Sequence, residues 1–251
     1  MLKILLERLR QGHRTMDWPD GPPPILSERF RGAPFIDVAR CPDGCSLCVE
    51  ACPTDCIVLD PEPRVDLGRC LFCTDCATAC PTGAVVHSSD FSLAASTRED
   101  LVTNGALVSK ARAVDGEARR VLGHSLKLRQ VSAGGCNACE ADTNVLGTVA
   151  WDLGRFGIQF VASPRHADGL LITGPLSANM ESALLATWEA VPPPKLVIAV
   201  GACAISGGPF LDHPEVRNGA GGIVPVDLYI PGCPPHPLTI LDGMLRLLGR
   251  L

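Results

Sequence analysis

Cys70-Leu71-Phe72-Cys73-Thr74-Asp75-Cys76-Ala77-Thr78-Ala79-Cys80-Pro81 is a C-x2-C-x2-C-x3-C-P run, the spacing that holds iron–sulfur clusters in bacterial electron carriers. Upstream, Cys41-Pro42-Asp43-Gly44-Cys45-Ser46-Leu47-Cys48-Val49-Glu50-Ala51-Cys52-Pro53 has the same plan with one extra residue in its first loop. The offset that carries Cys45, Cys48, Cys52 and Pro53 onto Cys73, Cys76, Cys80 and Pro81 also carries Thr54, Ile57 and Val58 onto Thr82, Val85 and Val86. Residues 36–87 are thus an internal repeat. It sets Cys56 opposite Ala84, so Cys56 reads as a small buried side chain and not as a ligand.

C-x2-C pairs also bind zinc, but zinc ribbons use two pairs. Four regularly spaced cysteines ending in Cys-Pro point instead to two [4Fe–4S] clusters, and in this motif the fourth cysteine ligates the other cluster. The first cluster is therefore expected on Cys41, Cys45, Cys48 and Cys80. The second is expected on Cys70, Cys73, Cys76 and Cys52.

The bulk numbers narrow the class. A chain of 251 residues with 46% hydrophobic and 20% charged residues has the material for a packed core. A net charge of −5 argues against a general nucleic-acid binder, and 4% aromatics are too few for a base-stacking surface. No apolar run approaches the ~20 residues that span a bilayer. No small-residue cleavage site follows an apolar stretch at the N-terminus, so a secretory signal is not expected. The 13 cysteines then read as metal ligands, not disulfides.

Outside the repeat, Leu2, Leu5, Leu6 and Leu9 recur at helical spacing among Lys3, Arg8, Arg10 and Arg14. This predicts a short basic amphipathic helix, suited equally to a membrane surface, a partner groove or packing on its own domain. Pro19, Pro22, Pro23, Pro24 and Pro34 make residues 1–35 a helix followed by an extended tether. Residues 88–123 are polar, carry no strand pattern and read as a connector with some helix. From 124 to 251 strands alternate with helices: Leu126–Val131, Ile158–Ala162, Leu170–Thr173, Lys195–Val200 and Val224–Ile230 as strands, with helices to about Phe156, over Ser177–Ala190 and over Leu238–Leu248. That alternation predicts an open, mainly parallel α/β sheet.

A third group of four emerges from this topology. Cys136, Cys139, Cys203 and Cys233 each follow a predicted strand. In an open α/β sheet the loops beyond the strand ends share one edge, where ligands bind. Gly134, Gly135, Gly201 and Gly232 beside them permit close backbone approach to a bulky inorganic group. Isolated buried cysteines are common, but four on one edge predict a third [4Fe–4S] cluster.

With these residues in view, the region from about 10 to 90 resembles the TYKY-type ferredoxin subunit of complex I and of membrane-bound hydrogenases. Thr15, the proline tether, Phe30-Arg31-Gly32 and both Cys-Pro motifs carry the likeness. Residues 124–251 resemble the PSST-type small subunit shared by complex I and energy-converting [NiFe] hydrogenases, through Gly134–Glu140, Ser163–Pro175, Ala199–Gly208 and Val226–Pro237. The resemblance implies a bacterial-ferredoxin-like α+β domain over 36–87, followed by a flavodoxin-like α/β domain over 124–251. Cys136-x2-Cys139 is similar to the hydrogenase and formate hydrogenlyase branch, whereas complex I subunits resemble a pattern with two adjacent cysteines.

The resemblance implies a relay. Three clusters would carry electrons to or from a large catalytic subunit of a membrane-associated [NiFe]-hydrogenase-like complex, peripheral on the inner face of the cell membrane. No substrate site and no catalytic residue are expected on this chain itself. A quinone-reducing, complex I-like assembly is the second expectation, and a stand-alone ferredoxin-like carrier or redox sensor the third. Arg165 and His166 read as loop hydrogen bonders or contacts to the large subunit. Glu140 reads as a proton relay or a helix cap, and His236 as a surface or interface histidine.

Overall fold

The computed structural model describes residues 2–12, 14–104, 108–122 and 124–251. Helix α1 (Leu2–Gln11) forms where the leucine spacing predicts it. Its apolar side chains face outward: Leu2, Ile4, Leu5, Leu6 and Leu9 are all exposed, Leu9 by 80%. The proline-rich segment beyond it is extended, yet fastened. Trp18 is buried and meets Phe91 edge-on at 5.8 Å. Arg155 donates to the carbonyls of Met16 and Trp18, each at 2.6 Å. A buried indole removes more apolar surface from water than any other side chain here could, so it anchors what composition alone would leave loose.

The repeat then builds short elements: β1 (Pro34–Ile36), α2 (Leu47–Glu50), β2 (Ile57–Val58), β3 (Arg64–Asp66), α3 (Asp75–Ala79) and β4 (Val85–His87). β1 pairs antiparallel with β4, Phe35 opposite Val86. The connector differs from its strandless expectation. It contributes β5 (Val102–Thr103), which pairs antiparallel with β3, while β2 flanks β3 on the other side. The reason is local: Leu101 and Thr103 are buried there while Val102 faces outward, an alternation too short to read as a strand from sequence.

In the C-terminal half, α4 (Gly116–Leu122), β6 (Leu126–Ser132), α5 (Ala138–Val145), β7 (Ile158–Phe160), β8 (Gly169–Thr173), α6 (Ala178–Ala190), β9 (Leu196–Val200), α7 (Ala202–Ser206), β10 (Leu228–Ile230) and α8 (Pro237–Leu247) follow in order. The five strands are parallel, in the order β7-β6-β8-β9-β10. This is the 2-1-3-4-5 order of flavodoxin-like sheets. β8 and β9 are buried at every position, as strands covered on both faces must be, and their continuous apolar runs made them legible. The last strand is shorter than its expected Val224–Ile230. Pro225 has no N–H to offer the ladder, and pairing begins only at Leu228. The helix after Cys139 also ends early, at Val145, whose carbonyl accepts from the Thr148 hydroxyl at 2.7 Å.

The two halves share a core. Ile57, Val65, Leu67 and Leu101 cluster with Ala199, Ala204 and Ile205. Ala95 and Tyr229 exchange backbone hydrogen bonds, both 2.9 Å. The Ser206 hydroxyl donates to the Gly68 carbonyl at 2.9 Å. Arg98 forms a two-pronged ion pair with Asp66 at 2.7 and 2.6 Å, and its guanidinium lies against Gly68, leaving no room for a Cβ there. The connector is therefore the strap that sets the cysteine repeat against the sheet edge.

Candidate metal centres

The chain reversal after Asp37, whose carboxylate accepts from the Ala39 N–H at 3.1 Å, delivers Cys41. Cys48 is buried in α2. The Cys41 thiol is pushed above its ordinary range by burial, then by Cys45 and by Cys80. Cys48 is pushed up by burial and then by Cys41. Cys41 is thus within electrostatic reach of Cys45, Cys48 and Cys80, and Cys80 comes from the other run. A second set lies across the repeat. Cys52, Cys70, Cys73 and Cys76 line one cavity. Cys76 is pushed up to about 11 by burial, then by Cys73 and Cys52, with a weaker contribution from Cys48.

The repeat survives as geometry. The Cys56 N–H points at the Cys52 sulfur at 3.3 Å, and the Ala84 N–H at the Cys80 sulfur at 3.1 Å. Thr54 and Thr82 hydroxyls sit 3.8 and 3.6 Å from the same two sulfurs. At Cys80 the Thr82 hydroxyl, joined by backbone N–H groups, outweighs burial and draws the thiol down to about 7.

Cys56 has a closer place than the repeat implies. It is buried, lines the second cavity, and its sulfur is 3.4 Å from that of Cys52. The Cys52 contact draws its thiol down, but Cys70 and burial outweigh it and push it up to about 12. Cys56 is thus the one rival to Cys52 within that cavity. With Cys52 as the ligand, Cys56→Ala leaves the iron and sulfide content of anaerobically purified protein unchanged. Loss of about four irons would assign the ligand to Cys56.

At the C-terminal edge of the parallel sheet, Cys136 and Cys139 follow β6, Cys203 lies in α7 after β9, and Cys233 follows β10. The Cys139 thiol is raised by burial, then by Cys203, Cys233, Glu140 and Cys136. Cys203 is pushed up to about 11 by burial, then by Cys233 and Cys136. Loop crossings bring them together: the Gly201 N–H donates to the Ile230 carbonyl and the Ala202 N–H to the Gly232 carbonyl, both at 2.8 Å. Gly201, at φ +90°, is a glycine by necessity. A Cβ there would stand 2.5 Å from the Cys139 sulfur, and one on Gly208 2.9 Å from the Cys203 sulfur.

These sets suit iron–sulfur clusters. The donors are thiols only, backbone N–H groups of Cys56, Phe72 and Ala84 point at sulfur, and glycines keep space clear beside Cys139 and Cys203. Coordination deprotonates a thiol outright, and the positive charge of bound iron would offset the burial and the neighbouring cysteines that raise Cys48, Cys76, Cys139 and Cys203. Among the described residues no three His, Cys, Asp or Glu side chains converge as one metal ion would require. A cluster instead takes its thiolates at separate corners.

The remaining candidates fall elsewhere. Glu140 is buried in the first turn of α5 and accepts from the hydroxyls of Ser132 at 2.6 Å and Thr173 at 2.7 Å. Burial pushes its carboxyl up, but the two donors outweigh it and hold it below the ordinary range. It pins α5 to the ends of β6 and β8. His236, expected at a surface or an interface, is half-buried. Its Nδ1 accepts the Leu238 N–H at 3.1 Å at the start of α8, and its ring lies between Phe30 and Trp151. Arg165 and His166 are exposed on the turn before β8. Two residues went unassigned by sequence reasoning. Arg31 donates to the carbonyls of Phe72 and Cys73 at 3.1 and 3.4 Å, and His87 lines the second cavity. Neither sits in a cysteine motif, so no spacing signalled them.

Two family profiles match. Residues 40–84 match the 4Fe-4S dicluster domain, and residues 136–247 match the NADH ubiquinone oxidoreductase, 20 Kd subunit family. A probable membrane-bound hydrogenase subunit of Pyrococcus furiosus is 39% identical over 53% of this chain and 79% of its own length. The chain belongs to the NADH ubiquinone oxidoreductase 20 Kd subunit family. This 20 Kd subunit relative has further kin in formate hydrogenlyase subunit 7 of Escherichia coli, 48% identical over 49% of this chain. An NADH-quinone oxidoreductase subunit of Heliobacterium modesticaldum is 37% identical over 61% of this chain and 85% of its own length. The chain spans 48% of the formate hydrogenlyase subunit. As a family member carrying a dicluster domain, it is an iron–sulfur subunit of oxidoreductase type. No helix among the described residues is long and apolar enough to cross a membrane.

Proposed function

We propose that this chain relays electrons through three [4Fe–4S] clusters, on Cys41, Cys45, Cys48 and Cys80, on Cys70, Cys73, Cys76 and Cys52, and on Cys136, Cys139, Cys203 and Cys233. Its N-terminal half acts as a bacterial-ferredoxin-like pair and its C-terminal sheet carries the third cluster. The clusters would supply one-electron chemistry, and the chain's residues set their spacing and potentials.

The observation that carries this reading is the approach of the second group to the third. The Cys233 thiol is raised by burial, then by Cys136, and then by Cys73 of the dicluster region. A cavity of about 260 Å³, lined in part by Arg31, Phe72, Cys233 and His236, lies between them. The electron path proposed on this basis runs from the first group to the second, to the third, and then to whatever covers the exposed Cys136 and Cys233.

The partner proposed there is a large catalytic subunit of a membrane-associated [NiFe]-hydrogenase-like complex, supported by the Cys136-x2-Cys139 spacing and by the formate hydrogenlyase and membrane-bound hydrogenase names of two relatives. The NADH-quinone oxidoreductase relatives favour a second reading, a quinone-reducing partner. Copurification of the complex with assay of nickel and hydrogen uptake separates the two. Nickel with hydrogen uptake is expected. A nickel-free partner that reduces quinone would transfer the relay to the second reading.

A further inference from the structure

His87 closes β4, where it pairs with Pro34 of β1. Its Nε2 is sealed from solvent and has no hydrogen-bond partner among the described residues. The same side chain lines the cavity shared by Cys52, Cys70, Cys73 and Cys76. A buried polar nitrogen without a partner is rare in native proteins and marks a missing ligand or a functional demand. The acceptors that a cluster would bring to this cavity are sulfurs.

The internal repeat supplies a comparison within the molecule. The offset that sets Cys56 opposite Ala84 sets Leu59 opposite His87. Leu59 packs against the apolar core and has no donor to give. At this position the two halves of the repeat therefore differ by one N–H.

We propose that His87 is a positioning residue that donates its Nε2–H to a sulfur of the cluster held by Cys52, Cys70, Cys73 and Cys76, making this cluster easier to reduce than the one held by Cys41, Cys45, Cys48 and Cys80. This inference rests on the three-cluster reading above. A hydrogen bond to sulfur stabilises the extra negative charge of the reduced state and so raises the potential. The imidazole donates from this nitrogen in its cationic form and in the neutral form that carries its proton on Nε2. The consequence for the relay is direction: the electron is held on the cluster that faces Cys233.

The test is a redox titration followed by electron paramagnetic resonance on the anaerobically purified complex. His87→Leu is expected to make reduction of one cluster about tenfold less favourable, 59 mV for a one-electron couple, with the others unmoved and iron content kept. His87→Gln, which keeps a donor, is expected to restore most of that loss. In wild-type protein with 15N-labelled histidine, pulsed resonance is expected to show a weak nitrogen coupling to the reduced cluster. An unchanged potential in His87→Leu, an equal fall in both variants, or the absence of that coupling would overturn the inference. Should His87→Leu shed iron, the wild-type coupling decides alone. A wild-type chain short by about four irons would instead overturn the three-cluster reading beneath it.

Discussion

Cys80→Ala is expected to destroy the cluster of Cys41, Cys45 and Cys48, although Cys80 belongs by sequence to the run that begins at Cys70. The reason lies in the chain path. α3 ends at Ala79, and the turn into β4 carries the Cys80 sulfur back across the pseudo-symmetric repeat to the Cys41 side, where the two thiols repel. Cys52 makes the reciprocal crossing towards Cys76. Iron should fall by about four per chain in Cys80→Ala. Double variants expose the crossing. Adding Cys41→Ala to Cys80→Ala should cost no further iron, because both serve one cluster. Adding Cys70→Ala should bring the loss to about eight. The opposite pattern, in which Cys70→Ala is the silent partner, would mean that each run holds its own cluster.

Gly201→Ala is expected to remove the third cluster without altering a single ligand. Gly201 is held at φ +90° between the end of β9 and the Cys203 turn, and its missing side chain is the space beside the Cys139 sulfur. A methyl group there meets sulfur at 2.5 Å, and the left-handed backbone adds strain for any L side chain. β9 is buried at every position, so the displacement is expected to fall on the Cys139 thiolate. The expected loss is about four irons, with both N-terminal clusters and their resonance signals intact. Gly222→Ala is the matched control, since a Cβ there meets nothing within 4 Å. Full iron content in Gly201→Ala would show that the third site tolerates displacement of Cys139.

The cysteine runs made the N-terminal half legible because their cysteines are close in sequence and their spacing is the one that cluster geometry imposes. The third group was legible for another reason. Buried parallel strands such as Leu196–Val200 announce themselves as apolar runs, and a parallel sheet puts all strand ends on one edge. What stayed hidden was pairing that depends on distant partners. Val102 and Thr103 become a strand only because β3 lies beside them. The proline segment is fixed by Trp18 and Arg155, 137 residues apart. His236 read as a surface or interface histidine, and nothing in Pro234-Pro235-His236 foretells its edge contacts with Phe30 and Trp151. Cys56 shows the limit of repeat logic: the offset matched its backbone N–H to that of Ala84, but could not foretell a sulfur 3.4 Å from Cys52.

All of these expectations depend on one chain holding three four-iron clusters. The direct measurement is iron and acid-labile sulfide per chain in anaerobically purified protein, with cysteine content as the internal standard. The account predicts about twelve irons and about twelve sulfides. A value near eight, with the full dicluster signal present, would leave Cys136, Cys139, Cys203 and Cys233 without their cluster and contradict the relay.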